Sequence, residues 1–251
     1  MLENRAYLSV RLNTSSGRIT LLGDHPFGGS CTAMPHAATI LQLRQLLAER
    51  FPVAAPRHGL VFSTGVTPLD EVLGGGLWKG TLTEISTPAD AAGCLTILNA
   101  ILCASAQERR PIALIDGGDG FDPQPLDPAV LAHLLWVRCR NTAQFFKAAD
   151  LILRDGNLPI VLLDLRGSAH AELKRIPNTT WYRLQRIAGQ SAVACLIATP
   201  WFMVSSAHTR VQIQGALRVG DLDRPTEQLF SMMDFRVIRR HGLGGTIAEA
   251  V

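Results

Sequence analysis

From residue 57 onward, short apolar runs alternate with longer stretches in which apolar residues recur at helical spacing. The run 160–163 is apolar at every position, as expected of a parallel strand that is buried on both faces. Short strands that alternate with helices of this length predict βαβ units. The pattern therefore predicts an α/β fold with a doubly wound, mainly parallel sheet and helices on both faces. The predicted strands are residues 81–86, 111–116, 134–139, 158–165 and 192–199, and the predicted helices are residues 93–108, 142–155 and 179–188.

The two ends of the chain follow a different pattern. Residues 210–219 and 235–240 are strand-like and predict an antiparallel extension at one edge of the sheet. Near the N-terminus, residues 7–12 and 18–22 flank a turn-like segment and predict a small hairpin. We therefore divide the chain into an N-terminal segment (1–57), a core (58–242) and a tail (243–251) that we expect to be mobile.

Residues 35–50 predict an amphipathic helix, which a proline-bounded linker follows at 51–56. Ile40, Leu43, Leu46 and Leu47 share its apolar face. This face either packs on the same chain, which is the commoner arrangement, or docks on a neighbouring protomer or a partner protein.

The composition excludes several classes of protein. Of the 251 residues, 47% are hydrophobic and 18% are charged, which excludes extensive disorder. The longest apolar runs are too short to cross a bilayer, and the N-terminus lacks the apolar block of a signal peptide. The five cysteines occur singly, without a CxxC pair, and the seven histidines are dispersed, so we expect neither disulfides nor a metal site. These features predict a cytoplasmic protein, and a net charge of +3 permits nucleic-acid binding without requiring it.

Residues 63–85 resemble the entry to RecA-type ATPase cores. They contain, in order, a Ser-Thr-Gly at 63–65, a Leu-Asp at 69–70, a Gly-Gly-Gly-Leu at 74–77 and a strand that ends in Glu84 and Ile85. The resemblance implies a RecA-like fold for the core. The glycine triplet is most simply a tight turn that requires positive φ angles.

The loop after this strand lacks the residues of a phosphate-binding loop. Such a loop needs a lysine for the β/γ-phosphates and a Ser or Thr for Mg²⁺. Aligned without gaps, Thr87 and Ala92 replace the two glycines, Gly93 replaces the lysine and Cys94 replaces the hydroxyl residue. A shift by one residue supplies no lysine either. We therefore expect neither ATP nor Mg²⁺ as a cofactor.

The acidic positions of the resemblance are also incomplete. Gly118 stands where the family has the glutamate that activates water, and Asp119 beside it is a weak substitute. Only Asp164, which resembles a Walker B aspartate, is retained. A single aspartate at the end of an apolar strand is a common loop-starting residue. The sequence therefore predicts an ATPase core without catalytic activity.

Further segments, in the same order, are similar to the ImuA family, which comprises RecA-like accessory proteins of bacterial inducible mutagenesis. They are the strand 134–138 (LLWVR), the helix 143–153 with its end at 154–157, the strand 161–164, the helix 182–188 and the closing strands 210–219 and 235–242. The resemblance implies a non-enzymatic protein that binds an ImuB-like Y-family polymerase homologue and, through it, an error-prone polymerase in translesion synthesis. It also leaves open self-association in the manner of RecA. In this setting, the partner of the 35–50 helix would be the polymerase homologue.

A basic stretch follows the Walker-B-like strand and is a candidate for DNA contact. Trp181 and Tyr182 lie within it and could stack on bases, or they could belong to the core while the charges form a solvated helix face. We weigh these two interpretations evenly. The basic residues are Arg166, Lys174, Arg175, Arg183 and Arg186. Two alternative functions are an active DNA-dependent ATPase of the RecA/RadA/KaiC class and a DNA-binding module that works without a partner.

Overall fold

A computed structural model describes residues 8–13, 18–22, 61–87, 93–214, 221 and 224–240. The strands are β1 (Leu8–Asn13), β2 (Arg18–Leu22), β3 (Val61–Phe62), β4 (Leu77–Trp78), β5 (Leu82–Ser86), β6 (Ile112–Asp116), β7 (Leu134–Arg138), β8 (Ile160–Asp164), β9 (Ala194–Thr199), β10 (Thr209–Gln214) and β11 (Asp234–Arg240). The helices are α1 (Thr67–Leu73), α2 (Cys94–Gln107), α3 (Pro128–Leu131), α4 (Thr142–Asp155), α5 (His170–Leu173), α6 (Asn178–Ser191) and α7 (Thr226–Ser231).

The main sheet is mostly parallel and has the strand order β11-β10-β5-β9-β8-β6-β7-β1-β2. The five strands from β5 to β7 are parallel to one another, so their carboxyl ends meet at one edge of the sheet. The α/β class and the mainly parallel sheet are as the sequence predicts. The two-stranded β3–β4 ribbon forms a separate sheet.

The two ends of the main sheet are formed by the terminal regions of the chain. Strand β10 runs parallel to β5 and antiparallel to β11, so at this end of the sheet the predicted antiparallel extension is confined to β11. Strands β1 and β2 form the predicted hairpin. In addition, β1 pairs in parallel with β7 and thereby extends the sheet, which the sequence did not indicate.

Apolar cores lie on both faces of the sheet. Along β8, Val161 and Leu163 belong to one core while Ile160 and Leu162 belong to the other, which explains why the whole strand is apolar. Helices α4 and α6 cover the first face. Helices α1 and α2 cover the second. The predicted arrangement of helices on both faces is confirmed.

The ends of α4 illustrate how local sequence sets the boundaries of a helix. The side chain of Asn141 accepts a hydrogen bond from the backbone N–H of Gln144 at 2.9 Å and caps the first turn. Gly156 ends the helix with a left-handed φ of 70°. Both ends of the helix therefore carry residue types that favour helix caps.

The segment that resembles a RecA-type entry is held together by one carboxylate. Asp70 accepts hydrogen bonds from the hydroxyls of Ser63 (2.6 Å) and Thr64 (2.7 Å) and from the backbone N–H of Thr64 (2.9 Å). Gly76 has a φ of 133°, and a Cβ there would lie 2.1 Å from the carbonyl oxygen of Phe62. The residues that carry this part of the resemblance therefore have clear structural roles.

Candidate functional site

Three loops meet at the carboxyl edge of the parallel strands, where ligands bind in open α/β sheets. They follow β5, β6 and β8, and strand β9 alone separates β5 from β8. In the first loop Thr87 is buried, and Ala92 lies outside the described residues. Between the second and third loops, Gly117 lies next to Ser168 and Gly118 lies next to Gly167. The sequence-predicted positions Gly93, Cys94, Gly118 and Asp164 all lie at this edge.

The start of α2 does not have the conformation that a phosphate-binding lysine would need. Gly93 immediately precedes the helix and has a φ of 139°, an angle that residues other than glycine rarely adopt. A lysine at this position would be strained whatever space surrounds it. Cys94, the first residue of the helix, is buried, and burial raises the pKa of its thiol to about 12. The thiol is therefore protonated and neutral near pH 7.

The loop after β6 is held by internal hydrogen bonds and packs against the loop after β8. Asp116 is buried, and its carboxylate accepts backbone N–H groups from Gly118 (3.1 Å), Gly120 (3.2 Å) and Phe121 (3.0 Å). A Cβ on Gly118 would lie 2.4 Å from the Cα of Gly167. Because the two backbones are in contact, the glutamate of an active ATPase cannot be accommodated at position 118 without moving one loop.

Asp119, the weak substitute for that glutamate, is engaged in an ion pair. Arg138 donates to both of its carboxylate oxygens, from Nε and, at 2.7 Å, from Nη2. The same guanidinium lies 4.8 Å from the centre of the Trp136 ring, in a cation–π contact. Asp119 also has a left-handed φ of 54°. Its carboxylate is thus held towards β7.

Asp164 ends β8, and its carboxylate is fully used by a single residue. Arg166 donates to Oδ1 from Nε (3.0 Å) and from its backbone N–H (3.0 Å), and to Oδ2 from Nη2 (2.6 Å). The side chain of Arg166 is four-fifths buried. Burial by itself lowers the pKa of this guanidinium, but Cys94, Asp164 and Asp116 raise it, and the net pKa lies above its usual value. With the thiol neutral, the two carboxylates are the charges that hold Arg166.

The residues at this edge do not fit a magnesium nucleotide. The lysine position has a glycine-only backbone, the glutamate position is blocked by a backbone contact, and the oxygens of both buried aspartates already accept hydrogen bonds. Within the described ranges, no three His, Cys, Asp or Glu side chains are grouped so that they could hold a metal.

A scan against protein-family models finds no match to this chain, and a search of curated protein sequences finds none either. The fold and the chemistry of the site must therefore be interpreted from the residues themselves. None of the helices in the described part of the chain combines the length and the apolar character needed to cross a membrane.

The predicted basic stretch is divided by the structure. Arg166 faces inward onto Asp164, whereas Arg183 is paired with Asp150 of α4 at 2.8 Å. The two aromatic residues also differ, because Trp181 is buried against Phe146 and Tyr182 is 60% exposed. Lys174, Arg175 and Arg186 are exposed. The predicted apolar helix face of Ile40, Leu43, Leu46 and Leu47 lies outside the described residues.

A buried acidic residue that the sequence analysis did not single out lies on β5. Oε1 of Glu84 accepts hydrogen bonds from the backbone N–H groups of Met203 (2.7 Å) and Val204 (3.0 Å) and from the hydroxyl of Thr199 (3.1 Å). Arg210 lies 3.1 Å from Oε2 in an ion pair that is not aligned as a hydrogen bond. Burial raises the pKa of Glu84. A charged residue inside a buried strand is the sequence signal that could have identified it.

Proposed function

We propose that this chain is a non-catalytic accessory protein with a RecA-like core, which acts in DNA damage-induced mutagenesis by binding an ImuB-like Y-family polymerase homologue. Through that partner it would assist an error-prone polymerase in translesion synthesis. The polymerase partner comes from the resemblance of the ordered segments between 134 and 242 to the ImuA family. The absence of catalysis is argued from the geometry of the site.

The observation that carries the proposal is the closure of the nucleotide site at three separate positions. Gly93 has a φ of 139°, Gly118 touches the backbone of Gly167, and Asp164 is occupied by Arg166. One altered position could be compensated by a neighbouring residue. Three independent changes, in three loops, favour a core that retains the fold of an ATPase without its catalytic activity.

The topology supports the RecA-like interpretation of the core. An ATPase site of this type requires the phosphate-loop strand and the Walker B strand to end at the same edge and close to each other. Strands β5 and β8 fulfil this condition, since β9 pairs with both of them in parallel.

A contact with DNA is a secondary part of the proposal, and the exposed residues near α6 favour it. Tyr182 and Arg186 are four residues apart on this helix and therefore share a face, and both are exposed. Lys174 and Arg175, which precede the helix, are exposed as well. A solvated aromatic ring beside cations is the arrangement that binds single strands through stacking and phosphate contacts.

The partner proposal is tested by co-expressing the full chain with an ImuB-like polymerase homologue and measuring their association by size-exclusion chromatography and calorimetry. We expect a stable complex that forms equally well with and without Mg·ATP. A Y-family polymerase that lacks relation to ImuB is the matched control. Failure of the two proteins to associate under any of these conditions would overturn the proposed function.

The alternative ATPase is tested by titrating Mg·ATP into the chain with and without single-stranded DNA, and by assaying phosphate release. We expect neither binding nor turnover. DNA-stimulated phosphate release that is abolished in Asp164→Ala would replace the proposal with an active ATPase.

The contact with DNA is tested by measuring the affinity of the chain for single-stranded DNA at several salt concentrations. The double variant Lys174→Glu/Arg175→Glu should weaken a salt-sensitive interaction, and an unchanged affinity would show that these charges are only a solvated surface.

A further inference from the structure

The ion pair of Asp164 and Arg166 occupies a particular place in the RecA-like site. The resemblance places Mg²⁺ between the Walker B aspartate, which corresponds to Asp164, and the hydroxyl residue, which corresponds to Cys94. In this chain the guanidinium of Arg166 donates to both oxygens of the Asp164 carboxylate, and the charge of Asp116 also raises its pKa. The carboxylate that would hold the metal is therefore already bound to a cation of the protein itself.

We infer that Arg166 is a built-in replacement for the divalent cation of a RecA-type site, and that it holds this edge of the core in one fixed state. The inference concerns the same site as the proposed function and rests on its RecA-like interpretation. It adds that the partner-binding form of the protein needs no nucleotide and no metal to be assembled.

The hydrogen bonds at the site explain why a metal would not displace Arg166. Both oxygens of Asp164 accept from the guanidinium, in the two-point geometry that matches a carboxylate best. Both oxygens of Asp116 accept backbone N–H groups. A metal ion would have to break these contacts and to remain close to a buried positive charge, which like-charge repulsion opposes.

Contacts at this site also join the loops after β6 and β8. Arg166 is bound to Asp164 at the end of β8. In the neighbouring loops, the N–H of Gly117 donates to the carbonyl oxygen of Asp164 at 2.8 Å. The loops after β6 and β8 are therefore fastened to each other.

The test uses Mn²⁺ as the probe, and its binding is measured by electron paramagnetic resonance on the full chain. Arg166→Ala removes the positive charge and leaves Asp164 without its partner, so the variant should bind Mn²⁺ at least about tenfold more tightly than the wild type. The variant Asp164→Asn/Arg166→Ala should lose that gain. Arg183→Ala serves as the matched control, because it removes an equal charge from an ion pair on the helical surface and should gain nothing.

The inference would be overturned if Arg166→Ala bound Mn²⁺ no more tightly than the wild type does. If Arg166→Ala does not fold, Arg166→Gln takes its place, and thermal unfolding supplies a second measurement. Each single substitution should then lower the unfolding midpoint while Asp164→Asn/Arg166→Gln recovers part of the loss, whereas additive losses would contradict the pairing. Neither result depends on the polymerase association assay, so the two proposals can fail separately.

Discussion

The contact between the loops after β6 and β8 can be tested with a single methyl group. Gly118→Ala places a Cβ where it would lie 2.4 Å from the Cα of Gly167 and 2.6 Å from its carbonyl carbon. These atoms belong to the backbone and cannot rotate away, so a loop must shift. Gly118 does not have a positive φ, so an alanine there carries no conformational strain of its own. The cost is therefore that of overpacking, about 2–3 kcal/mol of unfolding free energy.

Gly120→Ala is the matched control in the same loop. A Cβ at this position meets no atom within 4 Å, and the backbone N–H of Gly120 donates to Asp116 just as that of Gly118 does. This variant should be unchanged, or more stable by about 0.4–1 kcal/mol, because alanine restricts the unfolded chain.

Thermal and urea unfolding followed by circular dichroism measures both variants. The midpoint of Gly118→Ala should fall by about 4–12 °C relative to the wild type, at about 2–4 °C per kcal/mol for a chain of this size. If Gly118→Ala were as stable as Gly120→Ala, the loops would not be in contact. Position 118 would then not be closed to a larger side chain.

Three further substitutions test other parts of the structure, each by urea unfolding. The pKa of Glu84 is raised in the folded state, so protonation of this carboxyl favours folding, and the stability of the wild type should fall as the pH rises above about 4.5. Glu84→Gln should remove that part of the pH dependence. Equal pH slopes for the two proteins would contradict this expectation. Asp70→Ala should lower the free energy of unfolding by about 2–4 kcal/mol, because the hydrogen bonds of this carboxylate are lost. Substitution of its exposed neighbour, Glu71→Ala, should lower it little. Similar losses for the two variants would show that Asp70 does not hold the entry segment. Trp181→Ala should lower the free energy of unfolding by about 3–5 kcal/mol, because Trp181 is buried, while Tyr182→Ala should leave it unchanged, because Tyr182 is exposed. The reverse order would contradict this difference in burial.

The core of the fold could be predicted because its strands are buried on both faces. Such burial leaves short, continuous apolar runs, and each of the five predicted runs between residues 81 and 199 contains a strand whose ends differ from the prediction by at most two residues. The pairing of β1 with β7 could not be predicted in this way. It joins Leu8 to Leu135, and contacts between such distant residues leave no periodic signal in either segment.

The candidate site could be predicted in its residue types but not in its contacts. The resemblance to RecA-type cores places a glycine where that family has a lysine and another where it has a glutamate. It does not reveal that Arg166 turns back onto Asp164 two residues earlier, because that depends on the turn after β8. In the sequence, Arg166 is one of several cations of the basic stretch. Its burial and its ion pair with Asp164 distinguish it from the exposed Lys174 and Arg175.

The acidic residues at the carboxyl edge of the sheet indicate where the function of this chain should be sought. A site that binds a metal nucleotide must keep carboxylate oxygens and positive charge available for the ligand. Here Asp116 is satisfied by backbone N–H groups, Asp119 by Arg138 and Asp164 by Arg166. A lysine contributed by a neighbouring protein would be repelled by Arg166 rather than complete the site. Since the edge satisfies its own charges, a partner or a nucleic acid is better sought on the outer surface, where α6 exposes Tyr182.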